Sequence, residues 1–220
     1  MTNAHYHRGG LTCLSFRGVE YRFFGVHPWS AETVDARAAA EEIRQHVSGS
    51  TKAGVGEIGL DRLRTKCVTP AQRELFLFQL RIASDMRRPV VLHGAKCWGE
   101  VVKTVRPFIP NIPALLFHGF SRSDGLLPEI YAMNGFVSVG KAVLNDHAVN
   151  YRRMVSDIPT DRLLIETDDE VEDDGQRDVL LAQVFAKTAE LTGVTEGQID
   201  ANAERLMSCI GGGFALYAEL

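Results

Sequence analysis

Six short apolar runs alternate with longer segments of helical period along this chain, and that alternation constrains its fold more than any other feature. The runs predict six strands: Tyr21–Val26, Ala53–Ile58, Pro89–Leu92, Ala114–Phe117, Gly135–Val139 and Leu163–Glu166. The other segments predict seven helices: Ala31–Ser48, Pro70–Met86, Trp98–Phe108, Asp124–Met133, His147–Asp157, Asp178–Thr192 and Glu196–Cys209. Strands that alternate with helices form parallel βα units, and unbroken apolar runs are typical of strands covered on both faces. The pattern predicts one α/β domain over residues 1–220, as a (β/α)8-type TIM barrel or an open doubly wound sheet.

The composition is that of an ordinary globular protein, with 45% hydrophobic residues, a formal net charge of -4 and a pI near 6.0. This balance excludes a chain that attracts nucleic acid through overall positive charge, so local arginines or metal ions must hold any such substrate. The four cysteines, Cys13, Cys67, Cys97 and Cys209, lack metal-binding spacing. Because neither a signal peptide nor a bilayer-spanning apolar run is visible, we expect a cytoplasmic protein with reduced thiols.

Metal-ligand residue types recur at the carboxyl ends of the predicted strands. These residues are His27, Glu57, His93, His118 and Asp168. In barrels and in α/β sheets generally, the chemistry takes place at that end of the strands. One histidine at such a place can be a satisfied core residue, but several ligand-type residues at the same end indicate a metal centre. Imidazole and carboxylate ligands without thiolates suit Mg, Mn or Zn.

The stretch Asn3–His7, NAHYH, places two histidines one strand period apart near the start of the chain. The side chains of His5 and His7 point to the same side if this segment is extended. Taken alone, the stretch fits a disordered polar terminus or a tag remnant better than a metal site. Because the other strand ends also carry ligand-type residues, we interpret His5 and His7 as metal ligands at the end of a short first strand.

Seven motifs along the chain stand in one order and together resemble those of a known family. They are NAHYH, GVHPW, GEIGLD (Gly56–Asp61), QRELFLFQL (Gln72–Leu80), RPVVLHGAK (Arg88–Lys96), FHGFS (Phe117–Ser121) and DRLLIETD (Asp161–Asp168). In this order they resemble the TatD family of metal-dependent deoxyribonucleases, in the amidohydrolase-like TIM-barrel superfamily. The resemblance covers most of the chain from Tyr21 to about Met207, and it implies a TIM barrel with two divalent metal ions.

The resemblance also implies which residues hold each ion. It assigns His5, His7, Glu57 and Asp168 to one ion, and Glu57, His93 and His118 to the other. Glu57 then bridges the ions, and a bridging carboxylate lowers the repulsion between two cations. Two metal ions activate a water and stabilise the leaving oxygen of a phosphodiester. Asp168 and Glu57 are therefore the expected catalytic residues, with Asp168 accepting the proton of that water.

Several residues near this centre keep two interpretations. His27 is either a pocket residue that contacts substrate phosphate or the cap of a strand end, and Lys96 and Arg122 are candidate substrate-binding residues. Asp61 either caps a helix or supports a metal-ligating residue through its carboxylate, and its position favours the cap. Glu166 either orients a ligating histidine or pairs with an arginine such as Arg73.

The chain departs from the family pattern near its start and after Asp168. Nineteen residues, Arg8 to Val26, separate His7 from His27, which is too few for a normal βαβ crossover with a further strand and helix. We therefore expect a distorted barrel that lacks one or two outer helices, with an apolar flank that a protein partner or a second copy covers. The acidic segment Asp169–Asp174 would repel a phosphate backbone unless it turns away or is neutralised.

Three functions follow from these features. The first is a deoxyribonuclease, expected to act as an exonuclease on single-stranded DNA or on an end, with Tyr6, Trp29, Trp98, Phe120 and Lys96 as candidates for a substrate groove. The second is a metal-dependent hydrolase of a non-nucleic ester or lactone, which the acidic segment favours. The third is a subunit of a multi-protein DNA-defence assembly whose activity depends on a partner.

Overall fold

A computed structural model describes residues 11–16, 19–121, 124–168 and 174–209, and its strands form one curled sheet. The strands are β1 (Leu11–Phe16), β2 (Val19–Phe24), β3 (Ala53–Asp61), β4 (Val90–Ala95), β5 (Leu115–Phe117), β6 (Gly135–Val139) and β7 (Leu163–Ile165). Their order in the sheet is their order in the sequence, and β2 to β7 are parallel. The carboxyl ends of six strands therefore meet at one edge, as the alternating pattern predicts.

Seven α-helices follow or separate these strands. They are α1 (Ala36–Ser48), α2 (Pro70–Asp85), α3 (Trp98–Val105), α4 (Leu127–Ala132), α5 (Val149–Ser156), α6 (Asp174–Thr192) and α7 (Glu196–Ser208). Short 3-10 helices occupy Pro28–Ser30, Arg106–Phe108, Asp124–Leu126 and Lys141–Leu144. Each predicted helix has a counterpart here, although the first begins five residues later than its predicted start at Ala31.

Local side-chain caps explain where the helices begin. Thr69 accepts a hydrogen bond from the backbone N–H of Gln72 at the start of α2, and Thr195 forms a capping box with Gln198 at the start of α7. The first helix begins later than its predicted start, because Asp35 caps α1 by accepting from the backbone N–H of Ala38. The backbone N–H groups of a helix's first turn have no partner within the helix, and the Asp35 carboxylate satisfies one of them.

The start of the sheet departs from the parallel βα units. β1 pairs antiparallel with β2, with Leu11 opposite Phe24 and Phe16 opposite Val19. Two residues connect these strands, and a two-residue connection closes a hairpin but is too short for a crossover helix. The expected lack of an outer helix is therefore confirmed at this step. The further expectation of a partner or second copy on this flank stays a prediction.

The core lies between the sheet and its helices. All nine residues of β3 are buried, and all of β5, β6 and β7 are buried as well. Gly59 brings β3 close to β4, because a Cβ there would lie 2.0 Å from the carbonyl oxygen of His93. Its φ of +149° is also rarely adopted by residues with a side chain. A glycine at this position therefore lets Glu57 and His93 project from closely spaced strands.

Among the described residues, no helix has the length and apolar character that crossing a membrane requires.

Candidate metal centre and active site

The sheet brings ligand-type side chains from five strand ends together. Each offers an imidazole nitrogen or a carboxylate oxygen, and within each of two groups these atoms lie within 4.8 Å of one another. The groups are His27, Glu57 and His93, and His118, Glu166 and Asp168. The structure thus gathers five of the expected residues and adds Glu166. His5, His7, Arg122 and the segment Asp169–Asp173 lie outside the described residues.

Glu57 lies between two histidines in the middle of this arrangement. Its Oε1 atom is 3.0 Å from Nδ1 of His93 and 3.7 Å from Nε2 of His118. The Glu57 side chain is almost completely buried in the middle of β3. A carboxylate that lies between an imidazole of β4 and one that follows β5 occupies the position that a bridging ligand would need.

His118 is held in one orientation by a second carboxylate. Its Nδ1 atom is 2.6 Å from Oε2 of Glu166, which also accepts a hydrogen bond from the hydroxyl of Ser138. The opposite nitrogen, Nε2, lies 3.1 Å from Oδ1 of Asp168. Of the two interpretations of Glu166, the structure supports the one in which it orients a histidine. Arg73 instead forms an ion pair with Glu100, at 2.6 Å.

His93 has an equivalent carboxylate in Asp61. The Nε2 atom of His93 is 3.0 Å from Oδ2 of Asp61, while its Nδ1 faces Glu57. Asp61 also accepts hydrogen bonds from the backbone N–H groups of Leu63 and Arg64. It therefore caps the turn after β3, as its position favoured, and also orients His93.

The carboxylates around the histidines change their pKa values. Burial lowers the pKa of His93, but the hydrogen bonds with Asp61 and Glu57 outweigh burial and raise the pKa to about 8. Burial likewise opposes the charged form of His118, but the charges of Glu166 and Glu57 raise its pKa well above the ordinary value. Burial raises the pKa of Asp61, yet its bonds with His93, the Arg64 N–H and Trp29 hold it well below its ordinary range. The site therefore favours bound positive charge.

These features match what a divalent metal centre requires. The donor atoms are imidazoles and carboxylates, which suit Mg, Mn or Zn. His93 has Nδ1 beside Glu57 and Nε2 hydrogen-bonded to Asp61. His118 has Nε2 beside Glu57 and Nδ1 hydrogen-bonded to Glu166. Carboxylates of this kind fix the tautomer and ring orientation of a ligating histidine. The excess of carboxylates over imidazoles also supplies the negative charge that attracts a cation.

Asp168 and Lys96 adopt backbone conformations that are uncommon outside glycine. Their φ angles are 44° and 58°, and both residues are exposed. Asp168 lies three residues after the end of β7, and its carboxylate lies beside His118. Non-glycine residues with such angles concentrate at functional sites. Lys96 lies in the turn after β4, and its role in substrate binding stays a prediction.

His27 combines features of both of its interpretations. Its side chain accepts a hydrogen bond from the backbone N–H of Trp29 at 3.3 Å, so it does cap the turn after β2. Its ring also lies 4.4 Å from the ring of His93, in an edge-on arrangement. The capped turn therefore places His27 beside the ligand-type residues.

Sequence reasoning did not assign a role to Ser138 or identify the contact between Trp29 and Asp61. The indole N–H of Trp29 donates to Oδ2 of Asp61 at 2.7 Å. Ser138 had a signal in the sequence, because it is the one polar side chain in the apolar run Gly135–Val139. Two other aromatic candidates for a groove, Trp98 and Phe120, are buried in the core.

A cleft of about 970 Å³ opens beside Glu166 and Asp168. One wall is built from the segment after β6 and from α5. That wall carries the exposed basic side chains of Lys141, His147 and Arg153. A groove lined by both carboxylates and basic side chains suits a substrate with a negatively charged backbone next to a metal centre.

The curled parallel sheet, with imidazoles and carboxylates gathered at its carboxyl edge, defines the class of TIM-barrel-type proteins with a candidate metal centre. Residues 13–208 match the family model described as TatD related DNase. The chain belongs to this family, and the resemblance that the sequence motifs indicated is confirmed.

Similar proteins support this assignment. The 3'-5' ssDNA/RNA exonuclease TatD of Pectobacterium atrosepticum is 30% identical over 145 residues, which cover 66% of this chain and 55% of that protein. The uncharacterized metal-dependent hydrolase YabD of Bacillus subtilis is 30% identical over 152 residues, covering 67% of this chain and 58% of that protein. The chain thus spans about half the length of the curated relatives it matches.

Solved structures show the same fold. The TatD homologue YJJV from Escherichia coli K12 has a TM-score of 0.70 at 25% identity, covering 84% of this chain and 76% of that chain. A TatD family hydrolase from Entamoeba histolytica has a TM-score of 0.69 at 15% identity, covering 84% and 73%. The TIM-barrel type is therefore confirmed over the open doubly wound alternative.

Proposed function

We propose that this chain is a metal-dependent nuclease that hydrolyses phosphodiester bonds of single-stranded nucleic acid from an end. The observation that carries the proposal is the position of Glu57 between His93 and His118, each of which is held by a further carboxylate. The cleft with Lys141 and Arg153 beside this centre supports a substrate with a phosphate backbone. Relatives named 3'-5' ssDNA/RNA exonuclease support a single strand and that direction of cleavage.

The proposed centre holds two divalent ions, Mg, Mn or Zn. His5, His7, Glu57 and Asp168 would hold one, and Glu57, His93 and His118 the other. When bound, such ions lower the pKa of a water and stabilise the leaving oxygen of a phosphodiester. Glu57 reduces the repulsion between the two positive charges. Its burial keeps this carboxylate away from bulk water, where its interaction with a cation would be weaker.

Asp168 is proposed to accept the proton of the attacking water. Its side chain is about half exposed, whereas Glu57 is buried, so Asp168 is the carboxylate that solvent and substrate can reach. The contact with Nε2 of His118 holds it at the mouth of the cleft. Glu166 keeps His118 from turning, because it binds Nδ1 on the other side of the ring. His118 and Glu166 thereby hold Asp168, the proton acceptor, in position for the scissile phosphate.

Substrate contacts extend to both sides of the centre in this proposal. Lys141, His147 and Arg153 bind phosphates in the cleft, and Lys96 and Arg122 bind the backbone near the strand ends. His27 contacts the phosphate next to His93. The cytoplasmic location, the single domain over 1–220 and the protein partner stay predictions from the sequence.

The test is nucleotide release from end-labelled single-stranded DNA, single-stranded RNA and duplex DNA, with Mg, Mn and Zn added in turn. Wild type is compared with Glu57→Ala, and with Glu41→Ala on the exposed side of α1 as a matched control. We expect release from single strands by wild type and Glu41→Ala, and none by Glu57→Ala. Hydrolysis of simple esters or lactones without release from any nucleic acid would instead support the alternative hydrolase function.

A further inference from the structure

Trp29 differs from the other tryptophan in its exposure to solvent. Its residue surface is 54% exposed, whereas Trp98 is 3% exposed and packs against Phe117 and Phe120 in the core. Exposed large aromatic side chains lose the stabilisation that burial would give them. Core packing therefore does not explain a tryptophan that stays exposed at the edge of a site.

Three contacts hold the Trp29 ring in place despite this exposure. Its indole N–H donates to the buried carboxylate of Asp61 at 2.7 Å. The guanidinium of Arg64 lies over the ring, with Cζ 5.1 Å from the centroid. The ring of His27 meets it edge-on, with the centroids 4.6 Å apart. A side chain whose rotamer is already fixed loses little entropy when a ligand stacks on it.

The same contacts connect Trp29 to the metal-ligand residues. Asp61 accepts from the indole through the oxygen, Oδ2, that lies 3.0 Å from Nε2 of His93. The rings of Trp29 and His93 are 6.5 Å apart. Trp29 therefore lies at the rim of the proposed centre on the side of β2 and β3, whereas the basic cleft lies on the side of β6 and β7.

We propose that Trp29 is the platform on which a nucleobase stacks, namely the base of the nucleotide that flanks the bond being cut. Arg64, which is exposed beside it, binds the adjacent phosphate once the base has taken its place on the indole. Stacking on an aromatic ring is tolerant of sequence, because every base has a π-face. The substrate class is thus a single strand with unpaired bases. This inference rests on the proposed nuclease function.

To test the inference that a base stacks on Trp29, binding is measured separately from cleavage. The probe is a pentathymidylate with phosphorothioate linkages, which resists hydrolysis, added to the metal-loaded full chain. A second probe has the same backbone with every base removed. Quenching of tryptophan fluorescence reports stacking on Trp29, and the anisotropy of a labelled strand gives the affinity. We expect saturable quenching by the strand with bases and none by the abasic strand.

Two substitutions at Trp29 separate stacking from the hydrogen bond with Asp61. Trp29→Ala should weaken binding of the strand with bases by roughly 5- to 100-fold, and should leave the abasic strand almost unchanged. Trp29→Phe keeps an aromatic face but loses the indole N–H, so it should retain most of the affinity. Val179→Ala, an exposed apolar residue on α6, is the matched control and should bind both strands as wild type does.

Equal affinity of wild type for the two strands would overturn the inference, and so would the absence of binding to both. An equal loss on both strands for Trp29→Ala, shared by Trp29→Phe, would show that the indole only supports Asp61. Base-dependent binding without nucleotide release would refute the nuclease function while retaining the platform. Nucleotide release with equal binding of both strands would refute the platform alone.

Discussion

Glu166 binds Nδ1 of His118 at 2.6 Å and thereby turns the other ring nitrogen, Nε2, towards Asp168 and Glu57. The two residues are 48 positions apart in the sequence and meet because β5 and β7 end at the same edge of the sheet. A histidine that is fixed in this way can ligate a cation through Nε2, because the bond with Glu166 already sets its tautomer and ring orientation.

Removing the Glu166 carboxylate should weaken metal binding. We expect Glu166→Ala to lower the affinity for a divalent ion by roughly 10- to 100-fold, because His118 loses the group that orients it. Glu166→Gln keeps an acceptor and should lose less. Calorimetric titration of the metal measures the effect. Glu100→Ala, which breaks the ion pair with Arg73, is the control. Unchanged affinity in Glu166→Ala would contradict this role.

The stability of the metal-free protein should depend on the charge of His93. Its pKa is about 8 in the folded protein against an ordinary value of 6.5, so folding favours the protonated form. The resulting stabilisation is fully present below about pH 6.5 and is lost as the pH rises through 8. It amounts to about 2 kcal/mol in the free energy of unfolding.

Urea unfolding with a chelator present, at pH 6 and at pH 8.5, measures this change. His93→Gln should reduce the difference between the two pH values, since glutamine does not titrate, and should leave the part that His118 contributes. Equal or greater stability of wild type at the higher pH would contradict the assignment. Metal affinity should show the opposite trend, because a metal ion binds the neutral imidazole and its binding releases the proton.

The basic wall of the cleft should act through charge. We expect Arg153→Gln to weaken the binding of single-stranded DNA at low salt, and to reduce the slope of log affinity against log salt by about 0.7. Anisotropy titrations at several salt concentrations measure the slope. Arg81→Gln, on the exposed side of α2, is a matched control that should keep it. A lower affinity with an unchanged slope would mean that Arg153 does not contact phosphate.

The parallel strands and the strand-end residues were predictable because both depend on local pattern. An apolar run predicts a strand of a parallel sheet, and it thereby places Glu57, His93 or His118 towards the carboxyl end of that strand. Strand limits were less accurate where pairing decides them. β3 continues past Ile58 to Asp61, because Asp61 pairs with Ala95 of β4.

Contacts between distant residues were beyond the sequence. Asp61 was interpreted mainly as a cap, and only the sheet shows that it also meets His93 and Trp29, each 32 positions away. Glu166 had two equal interpretations until β5, β6 and β7 placed His118 and Ser138 against it. Leu11–Phe16 could be identified as a possible strand, but its antiparallel direction was not predicted, since that direction depends on the length of the connection and not on the strand's own residues.

The most direct test of the account combines metal content and nucleotide release on the same samples. Metal-free wild type, Glu57→Gln and Glu41→Gln are loaded with increasing metal, and the ions bound per chain are measured beside the rate of release from single-stranded DNA. The account predicts that wild type and Glu41→Gln bind two ions and cut, whereas Glu57→Gln loses at least one ion and roughly a hundred-fold or more of the rate. Release by Glu57→Gln at the rate of wild type would contradict the account.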